Sequence, residues 1–306
     1  MKSNFVAFAD SKMSRTFRRL SKQVKSLKIF EGVYLFDESN LPVYFKEKFK
    51  DKLIAGSRGY GYWSWKPEVI LMALNQIEDG DRLLYIDSGC HLNIHGKKRL
   101  IEYFNILDKE EKGIIAFQTD QPNQQNSTLI YDGRTLFDHL NYKWIKGDLL
   151  DYFGVRNNDN YIKKQMIEAT VILIKKCLPA HKIIKEWQQI ISERFDLLDD
   201  TPSVSPNLIG FIEHRHDQSI WSLLCLKYKI KTISSYEYFY PINNGKRIDL
   251  DTEALKKFPI HAMRDKDFGF IYNTIKNIKR FTYYISIFDL GTILSRLKYK
   301  IINLIK

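Results

Sequence analysis

The order of apolar and polar positions along the chain predicts short buried strands that alternate with helices. Short apolar runs bounded by glycine or polar residues are typical of buried strands, and they occur at residues 5–9, 28–34, 82–86, 113–118, 170–175 and 231–234. Apolar residues at helical spacing occur at residues 15–28, 47–53, 68–77, 97–107, 161–169, 180–195 and 216–229. This alternation predicts an α/β fold with helices on both faces of one sheet.

A loop rich in glycine and aromatic residues precedes one of these helices. Residues 56–67 read GSRGYGYWSWKP, with three glycines followed closely by aromatic side chains. Pro67 suits the first turn of a helix. The segment is therefore predicted to be a loop that leads into the helix at residues 68–77.

The last part of the chain has a different pattern from the rest. Residues 271–306 carry seven Lys or Arg and one Asp, which is six of the twelve excess positive charges. Apolar residues recur between them at spacings of three and four, as in a basic amphipathic helix or helix pair. Such a segment is expected to dock on a membrane surface, and the alternative is a terminal helix that packs on the domain with a solvated basic face.

Composition places the chain among ordinary globular proteins. It has 306 residues, of which 44% are hydrophobic and 27% charged. The three cysteines are far apart and odd in number, which fits neither a disulfide framework nor a zinc site and favours a reducing cytosol. No secretory signal or membrane-spanning run is evident, so a soluble, cytosol-facing protein is expected.

One candidate for chemistry is a carboxylate at a predicted strand end. Asp87 directly follows the strand at residues 82–86 and precedes Ser88 and Gly89. Ligands of open α/β sheets collect at the carboxyl ends of strands, where a carboxylate can hold a divalent metal that bridges a diphosphate. The alternative is an Asp that only forms a turn before glycine.

A second candidate is a dense polar segment, and a third is a late histidine. Residues 213–219 are all polar and lie between apolar neighbours. Asp217 could simply cap the following helix, but capping does not explain the adjacent histidines and arginine, which suit an anionic or hydroxyl-rich ligand. His261 follows Phe258-Pro259 and could be either structural or a ligand.

These segments together resemble a family of bacterial glycosyltransferases. The resemblance rests on residues 8–11 (FADS), 61–67 (GYWSWKP), 80–89 (GDRLLYIDSG) and 214–219 (HRHDQS), and it covers about residues 5–265. Such enzymes occur in capsule and lipopolysaccharide O-antigen gene clusters. The resemblance implies a GT-A-like, Rossmann-type nucleotide-sugar-binding domain with a mixed central sheet over residues 1–270, followed by the basic amphipathic tail at residues 271–306.

The resemblance also implies the roles of particular residues. Those expected to bind the donor are Ala9, Asp10, Ser11, Arg58, Lys66, Asp87, Ser88, Gly89, Glu168, Ala169 and Thr170. Those expected near the reacting carbon are His216, Asp217 and Gln218. A Mn²⁺ or Mg²⁺ ion is expected on Asp87 and His261, although Gly89 stands where the usual Asp-X-Asp motif has its second carboxylate.

The resemblance implies a hexosyltransferase-like enzyme that transfers a sugar from a nucleotide-sugar donor to a growing capsule or O-antigen glycan. The donor is expected to be linked to UDP. The acceptor is expected to be a lipid-linked oligosaccharide at the inner face of the cytoplasmic membrane, which places the enzyme in the cytoplasm as a peripheral membrane protein. The anionic membrane surface would then be a partner of the tail.

Two alternatives come from other classes of protein. Gly89 leaves room for a non-catalytic relative that acts as a scaffold in the same pathway. The net charge of +12 would suit a nucleic-acid-binding protein, but half of the excess charge lies in the tail and the chain has no nucleic-acid motif. We therefore expect no nucleic-acid partner.

The tail generates the first testable prediction. Full-length protein should float with anionic vesicles and a 1–270 truncation should not, because each basic residue near such a surface contributes about 1 kcal/mol. Binding should weaken as salt is added. Equal flotation of the two proteins would show that the tail is merely structural.

Overall fold

The computed structural model describes residues 1–13, 15–119, 130–131, 134–135, 139–238, 242–243, 246–247 and 257–262. The predicted basic tail at residues 271–306 lies outside these residues, so its helical character and membrane docking stay predictions. No helix within the described ranges is long and apolar enough to cross a membrane.

The strands of the described residues include six that form one central sheet. They are β1 (Ser3–Phe8), β2 (Gly32–Phe36), β3 (Arg82–Ile86), β4 (His91–Leu92), β5 (Ile114–Gln118), β6 (Ile130–Tyr131), β7 (Arg134–Thr135), β8 (Ile167–Lys175), β9 (Lys231–Ser234), β10 (Ile242–Asn243), β11 (Lys246–Arg247) and β12 (Ile260–His261). The central sheet has the order β2-β1-β3-β8-β5-β9. Strand β8 runs antiparallel to both neighbours and the other pairs are parallel, so the sheet is mixed as predicted.

Helices lie between the strands in the chain. Within the described residues they are α1 (Arg15–Leu27), α2 (Val43–Lys48), α3 (Gly59–Tyr62), α4 (Trp65–Leu74), α5 (Lys97–Lys109), α6 (Asn141–Trp144), α7 (Gly147–Tyr152), α8 (Asp159–Ile162), α9 (Leu178–Glu193) and α10 (Asp217–Lys227). The predicted alternation of helices and strands in an α/β fold is confirmed.

Both faces of the four central strands, β1, β3, β8 and β5, are buried, which explains their continuous apolar runs. In β1, Val6 and Phe8 belong to a core that contains the buried residues of α4, α9 and α10. Their neighbours Phe5 and Ala7 belong to a second core with buried residues of α1 and α5. Successive side chains of one strand therefore enter opposite layers.

Three of the predicted elements were misplaced along the chain. Residues 161–169 were predicted to be helical, but α8 ends at Ile162 and β8 begins at Ile167, because Ile167 and Glu168 pair with β5 and residues 171–175 pair with β3. The strand expected at residues 28–34 is β2, and Lys28 instead has a φ of 51° after the end of α1. The helix expected at 47–53 is α2, which ends at Lys48.

The segment before α4 is a left-handed turn at residues 59–63. This turn includes α3, whose φ angles are not those of a right-handed helix. Its five consecutive residues have positive φ angles: Gly59 60°, Tyr60 50°, Gly61 85°, Tyr62 57° and Trp63 60°. A left-handed conformation costs about 1–2 kcal/mol for each residue with a side chain, so Tyr60, Tyr62 and Trp63 together store appreciable strain. The surrounding structure must hold this turn in place.

Hydrogen bonds and ring packing supply that support. The N–H of Tyr62 donates to the carbonyl of Arg58 (2.7 Å), and the N–H of Trp63 donates to that of Gly59 (3.1 Å). The indole N–H of Trp65 also donates to the Gly59 carbonyl (3.0 Å). The ring of Phe8 stacks on Trp65 at a centroid distance of 4.0 Å, which anchors the end of the turn to β1.

The left-handed turn generates a stability prediction. A Cβ on Gly61 would lie 2.9 Å from Cδ2 of Leu53 and 3.3 Å from the carbonyl of Lys52, whereas a Cβ on Gly154 would have nothing within 4 Å. Both glycines have positive φ. Gly154→Ala should therefore lower the free energy of unfolding by about 1–2 kcal/mol through backbone strain alone. Gly61→Ala should cost about 1–3 kcal/mol more, because overpacking adds to that strain.

Urea unfolding of the two variants beside the wild type measures the difference. Equal midpoints for Gly61→Ala and Gly154→Ala would mean that the left-handed turn is not packed as described.

Candidate active site

The candidate active site lies at the edge of the sheet where β1 and β3 end and β8 begins. Its centre is the ammonium group of Lys66, in the first turn of α4. The Lys66 Nζ lies 2.5 Å from Oδ2 of Asp217 and 3.3 Å from Oδ1 of Asp87. It also donates to the carbonyl oxygen of Ala169 (3.1 Å). The side chain is buried, so these three oxygens replace the water that an ammonium group otherwise binds.

The ion pairs keep Lys66 charged in a buried position. Burial by itself would lower the pKa of the Lys66 ammonium, but the carboxylates of Asp217 and Asp87 outweigh burial and raise it. The neighbouring Tyr85 hydroxyl donates to Oδ1 of Asp87 (2.7 Å). The Lys66 side chain thus holds two carboxylates from different elements at a fixed separation.

Asp87 is the more accessible of the two carboxylates. It directly follows β3, its side chain is 31% exposed, and its N–H donates to the carbonyl of Thr170 in β8 (2.9 Å). A ligand at the sheet edge can therefore reach Asp87, while Asp217 lies behind it in the protein with 7% of its side chain exposed.

Asp217 is the first residue of α10 and does not act as its cap. The residue at the cap position is His216, which makes no side-chain capping bond, and the Asp217 carboxylate contacts Lys66 instead. Burial raises the pKa of Asp217 to about 6, with the Asp87 charge adding to the rise and Lys66 opposing it. Asp217 is therefore mostly ionised at neutral pH and can take up a proton at little cost.

His216 has a strained backbone and a fixed tautomer. Its φ is 53° and its ψ is −124°, outside the regions that ordinary residues occupy. Its Nδ1 lies 2.8 Å from the carbonyl oxygen of Leu198 and must donate to it, so Nε2 is the acceptor of the neutral ring. Burial lowers the pKa of His216, with the Leu198 carbonyl opposing, so the neutral ring predominates at pH 7.

The other histidine of the polar segment has a structural role. The Nε2 of His214 donates to the carbonyl of Leu197 (2.9 Å), and its Nδ1 accepts from the N–H of Lys146 (3.4 Å). Both ring nitrogens are thus committed to the backbone, and burial holds the pKa of His214 well below its usual value. Gln218 is half-buried in the first turn of α10.

Arg58 lies beside His216, at the left-handed turn. Its Nη1 is 3.5 Å from Oδ1 of Asp200, and the same oxygen is 3.7 Å from Nε2 of His216. Burial and a hydrogen bond to Asp200 raise the pKa of the Tyr62 hydroxyl. Arg58, Tyr62, Asp200 and His216 thus form a polar cluster, and His216 connects it along the chain to Asp217.

The residues expected at the nucleotide end lie together after β1. The N–H of Ala9 donates to the carbonyl of Phe36 (3.1 Å), and the N–H of Ser11 donates to Oε1 of Glu38 (3.0 Å). Burial and the Glu38 charge raise the pKa of Asp10. Burial and the same two carboxylates also raise the pKa of Tyr60, which places Tyr60 of the left-handed turn at this end.

The segment expected at the donor sugar is the start of β8, beside Asp87. The buried Glu168 accepts through Oε1 from the hydroxyl of Thr119 (2.8 Å). Ala169 and Thr170 direct their carbonyls to Lys66 and to the Asp87 N–H. Ser88, on the other side of Asp87, is buried, and its carbonyl accepts from Nη2 of Arg19 (2.5 Å).

The residues expected to bind a metal ion are poorly suited to that role. His261 is fully buried in β12, opposite His91 of β4, and no group of three or more potential metal ligands occurs among the described residues. Asp87 provides the only carboxylate of residues 87–89, and its Oδ1 already contacts the Tyr85 hydroxyl and the Lys66 ammonium. The half-buried Gly89 adds no second carboxylate. Dependence on Mn²⁺ or Mg²⁺ therefore stays a prediction.

The sequence pattern did not single out several residues of this site. Tyr85 could have been found, because positions two apart in a strand share a face and Tyr85 is two before Asp87. Glu38 and Asp200 lie in polar stretches of the sequence, and their spacing from the other site residues does not indicate that they belong to a site. Only the fold brings Asp200 to His216 and Glu38 to Ser11.

Comparisons with known proteins give likeness of structure alone. No protein-family model matches the chain, and no curated protein matches its sequence. A glycosyltransferase involved in glycosylation of the major capsid of PBCV-1 is similar in structure, with 11% identity, a TM-score of 0.46, and coverage of 92% of this chain and 100% of that chain.

Two further glycosyltransferases are similar in structure. The bifunctional WbbM has 10% identity and a TM-score of 0.48 over 87% of this chain and 46% of its own. GlyE of Streptococcus pneumoniae TIGR4 has 15% identity and a TM-score of 0.45 over 98% of this chain and 64% of its own. Since all three TM-scores are below 0.5, we take the function from the residues of the site.

The buried ion pairs generate a prediction of pH-dependent stability. Lys66→Met should lower the free energy of unfolding by about 3–5 kcal/mol near pH 8, because it leaves two carboxylates without their partner. Without Lys66, the folded-state pKa of Asp217 should rise above 6. A raised carboxyl pKa gives stability at low pH that is lost as pH rises through the folded value, so the deficit should shrink toward pH 5.

Urea unfolding at several pH values measures this deficit. Lys163→Met is the matched control, because Lys163 pairs with Asp159 on an exposed face and both side chains are 65% exposed. A deficit for Lys66→Met that is independent of pH would contradict the described coupling.

Proposed function

We propose that this chain is a glycosyltransferase that uses a nucleotide-sugar donor. The observation that carries the proposal is the pair of carboxylates, Asp87 and Asp217, held by Lys66 at the edge of the sheet where ligands of α/β folds bind. One carboxylate is accessible and the other is buried with its pKa raised to about 6. Such a pair offers two different chemical roles at one site.

The reaction exchanges one C–O bond for another. The bond between the anomeric carbon of the donor sugar and the diphosphate breaks, and its electron pair stays on the diphosphate oxygen. A bond forms between the anomeric carbon and an acceptor hydroxyl oxygen, whose proton must go to a base. Asp217 is suited to orient the sugar or to accept this proton, because it is ionised at neutral pH and its carboxyl pKa lies close to the working pH.

Other residues are assigned by position along the edge. Asp87 and the start of β8, Glu168 to Thr170, would contact the donor sugar. The segment Ala9 to Ser11, with Tyr60, would contact the nucleotide. His216 and Gln218 precede and follow Asp217 and would line the acceptor side, and Arg58 lies next to them.

The finer assignments are part of the proposal. We propose a UDP-linked hexose as donor and a lipid-linked oligosaccharide of capsule or O-antigen synthesis as acceptor, at the inner face of the cytoplasmic membrane. Their support is the resemblance of residues 5–265 and the basic pattern of residues 271–306. Gly89, in place of a second carboxylate, favours a non-catalytic relative as the second candidate.

Turnover of a panel of nucleotide sugars tests the proposal. Wild-type protein should hydrolyse or transfer at least one sugar of the panel, and Asp217→Asn should lower that rate by roughly a hundredfold or more, the usual scale for a lost acid–base group. Asp159→Asn, on the exposed face of α8, is the control and should be as active as the wild type.

Two results would contradict this proposal, one for the activity and one for the location of the site. Binding of a nucleotide sugar without any turnover would favour the non-catalytic relative. Wild-type turnover in both Asp217→Asn and His216→Ala would place the active site elsewhere.

A further inference from the structure

Backbone strain in this protein is concentrated where two distant segments meet. The five residues of the left-handed turn have positive φ, and so does His216. The ring of His216 lies 5.0 Å from that of Tyr62 and 5.9 Å from that of Trp63, measured between centroids. Strained residues persist only where the surroundings hold them, and they cluster at ligand sites. The turn and His216 therefore form one strained unit whose function the donor site does not explain.

The two aromatic rings of this unit are only half covered. Tyr62 and Trp63 are both half-buried, although neighbouring residues of the same segment, Gly61, Ser64 and Trp65, are buried. Tyrosine and tryptophan side chains give large, rigid contact areas that combine an apolar face with a polar edge. The apolar face of a pyranose ring, with its C–H groups, is a complementary surface.

A buried polar atom without a hydrogen-bond partner among the described residues belongs to the histidine ring beside them. The side chain of His216 is 2% exposed, and its Nε2 has no hydrogen-bond partner within the described residues. The 3.7 Å separation from Asp200 is too long for a hydrogen bond. A buried acceptor without a donor is uncommon and calls for a partner. A hydroxyl group of a ligand would supply the missing proton.

The charged groups around this atom narrow the class of ligand. Asp200 adds a second acceptor, and Arg58, with its Nη1 3.5 Å from Asp200, adds donors at the rim. Acceptors and donors side by side suit hydroxyl groups, which can be either. The Asp200 carboxylate would repel a phosphate or a carboxylate at the same place. The set therefore favours a neutral sugar over an anionic one.

We infer that Tyr62, Trp63, His216, Asp200 and Arg58 form a binding site for a neutral pyranoside, with the sugar ring on the aromatic rings and a hydroxyl on Nε2 of His216. We identify this sugar as the terminal residue of the acceptor glycan, and this identification rests on the proposed function. Because His216 immediately precedes Asp217, a hydroxyl bound here lies next to the carboxylate assigned to the reaction.

Binding of simple methyl pyranosides tests this site without any turnover. Full-length protein is titrated with methyl glucoside, galactoside, mannoside and N-acetylglucosaminide at millimolar concentration, and saturation-transfer NMR reports the affinity. Trp63→Asn should weaken binding about tenfold or more, since asparagine tolerates a left-handed backbone but lacks the ring. His216→Ala should also weaken binding, because it removes the acceptor.

Two variants separate loss of the site from loss of the fold. Trp63→Phe keeps a ring and should retain binding within a few-fold. Tyr152→Asn is the matched control, because Tyr152 of α7 is an aromatic residue that is 45% exposed and belongs to neither proposed site. It should bind the pyranosides as the wild type does.

The outcomes distinguish this inference from the proposed function. Absence of binding by every pyranoside of the set, or equal binding by Trp63→Asn and the wild type, overturns the inference even if nucleotide sugars are turned over. Pyranoside binding that depends on Trp63, in a protein that turns over no nucleotide sugar, supports the site and removes the proposed function.

Discussion

The buried ammonium of Lys66 is the interaction on which the site depends. Its Nζ contacts three oxygens from three other parts of the chain: it forms ion pairs with Asp87 after β3 and Asp217 at the start of α10, and it donates to the carbonyl of Ala169 in β8. A buried charge is costly unless it is paired and hydrogen-bonded, so none of these partners can move away alone. The separation of the two carboxylates is therefore fixed by the packing of α4 on the sheet rather than by a loop.

Strain is distributed very unevenly in this fold. The pairing of β1 with β2 and with β3 is regular, whereas the left-handed turn and His216 hold conformations that side chains disfavour. The stacked rings of Phe8 and Trp65 and the hydrogen bond from Trp65 to Gly59 offset part of that cost. Because Trp65 immediately precedes Lys66, the packing that supports the turn also seats the central ammonium.

Much of the sheet could be predicted from sequence, because its central strands are buried on both faces and read as continuous apolar runs. Strand β8 was only half recognised, since Ile167 to Ala169 can fit a helical pattern as well as a strand, and the pairing with β3 and β5 decides between them. The sequence motifs alone identify Lys66, Asp87 and Asp217 as candidate site residues. The motifs do not predict that these three side chains contact one another, because this contact depends on tertiary packing that one sequence does not reveal.

The reversed direction of β8 has a consequence for how such a protein can diversify. Strand β5 ends and β8 begins at the same edge, where the N–H of Thr119 donates to the carbonyl of Met166 (3.0 Å). The described part of the chain between them, residues 130–131, 134–135 and 139–166, contains the pairing of β6 with β7 and the buried residues Trp144, Ile145, Leu149 and Leu150 of the core that also holds α10. An insertion or exchange within residues 139–166 would therefore disturb the packing of α10, the helix that begins with Asp217. What such a protein recognises is thus tied to the stability of its core, and a change in this segment is tolerated only where those buried contacts are kept.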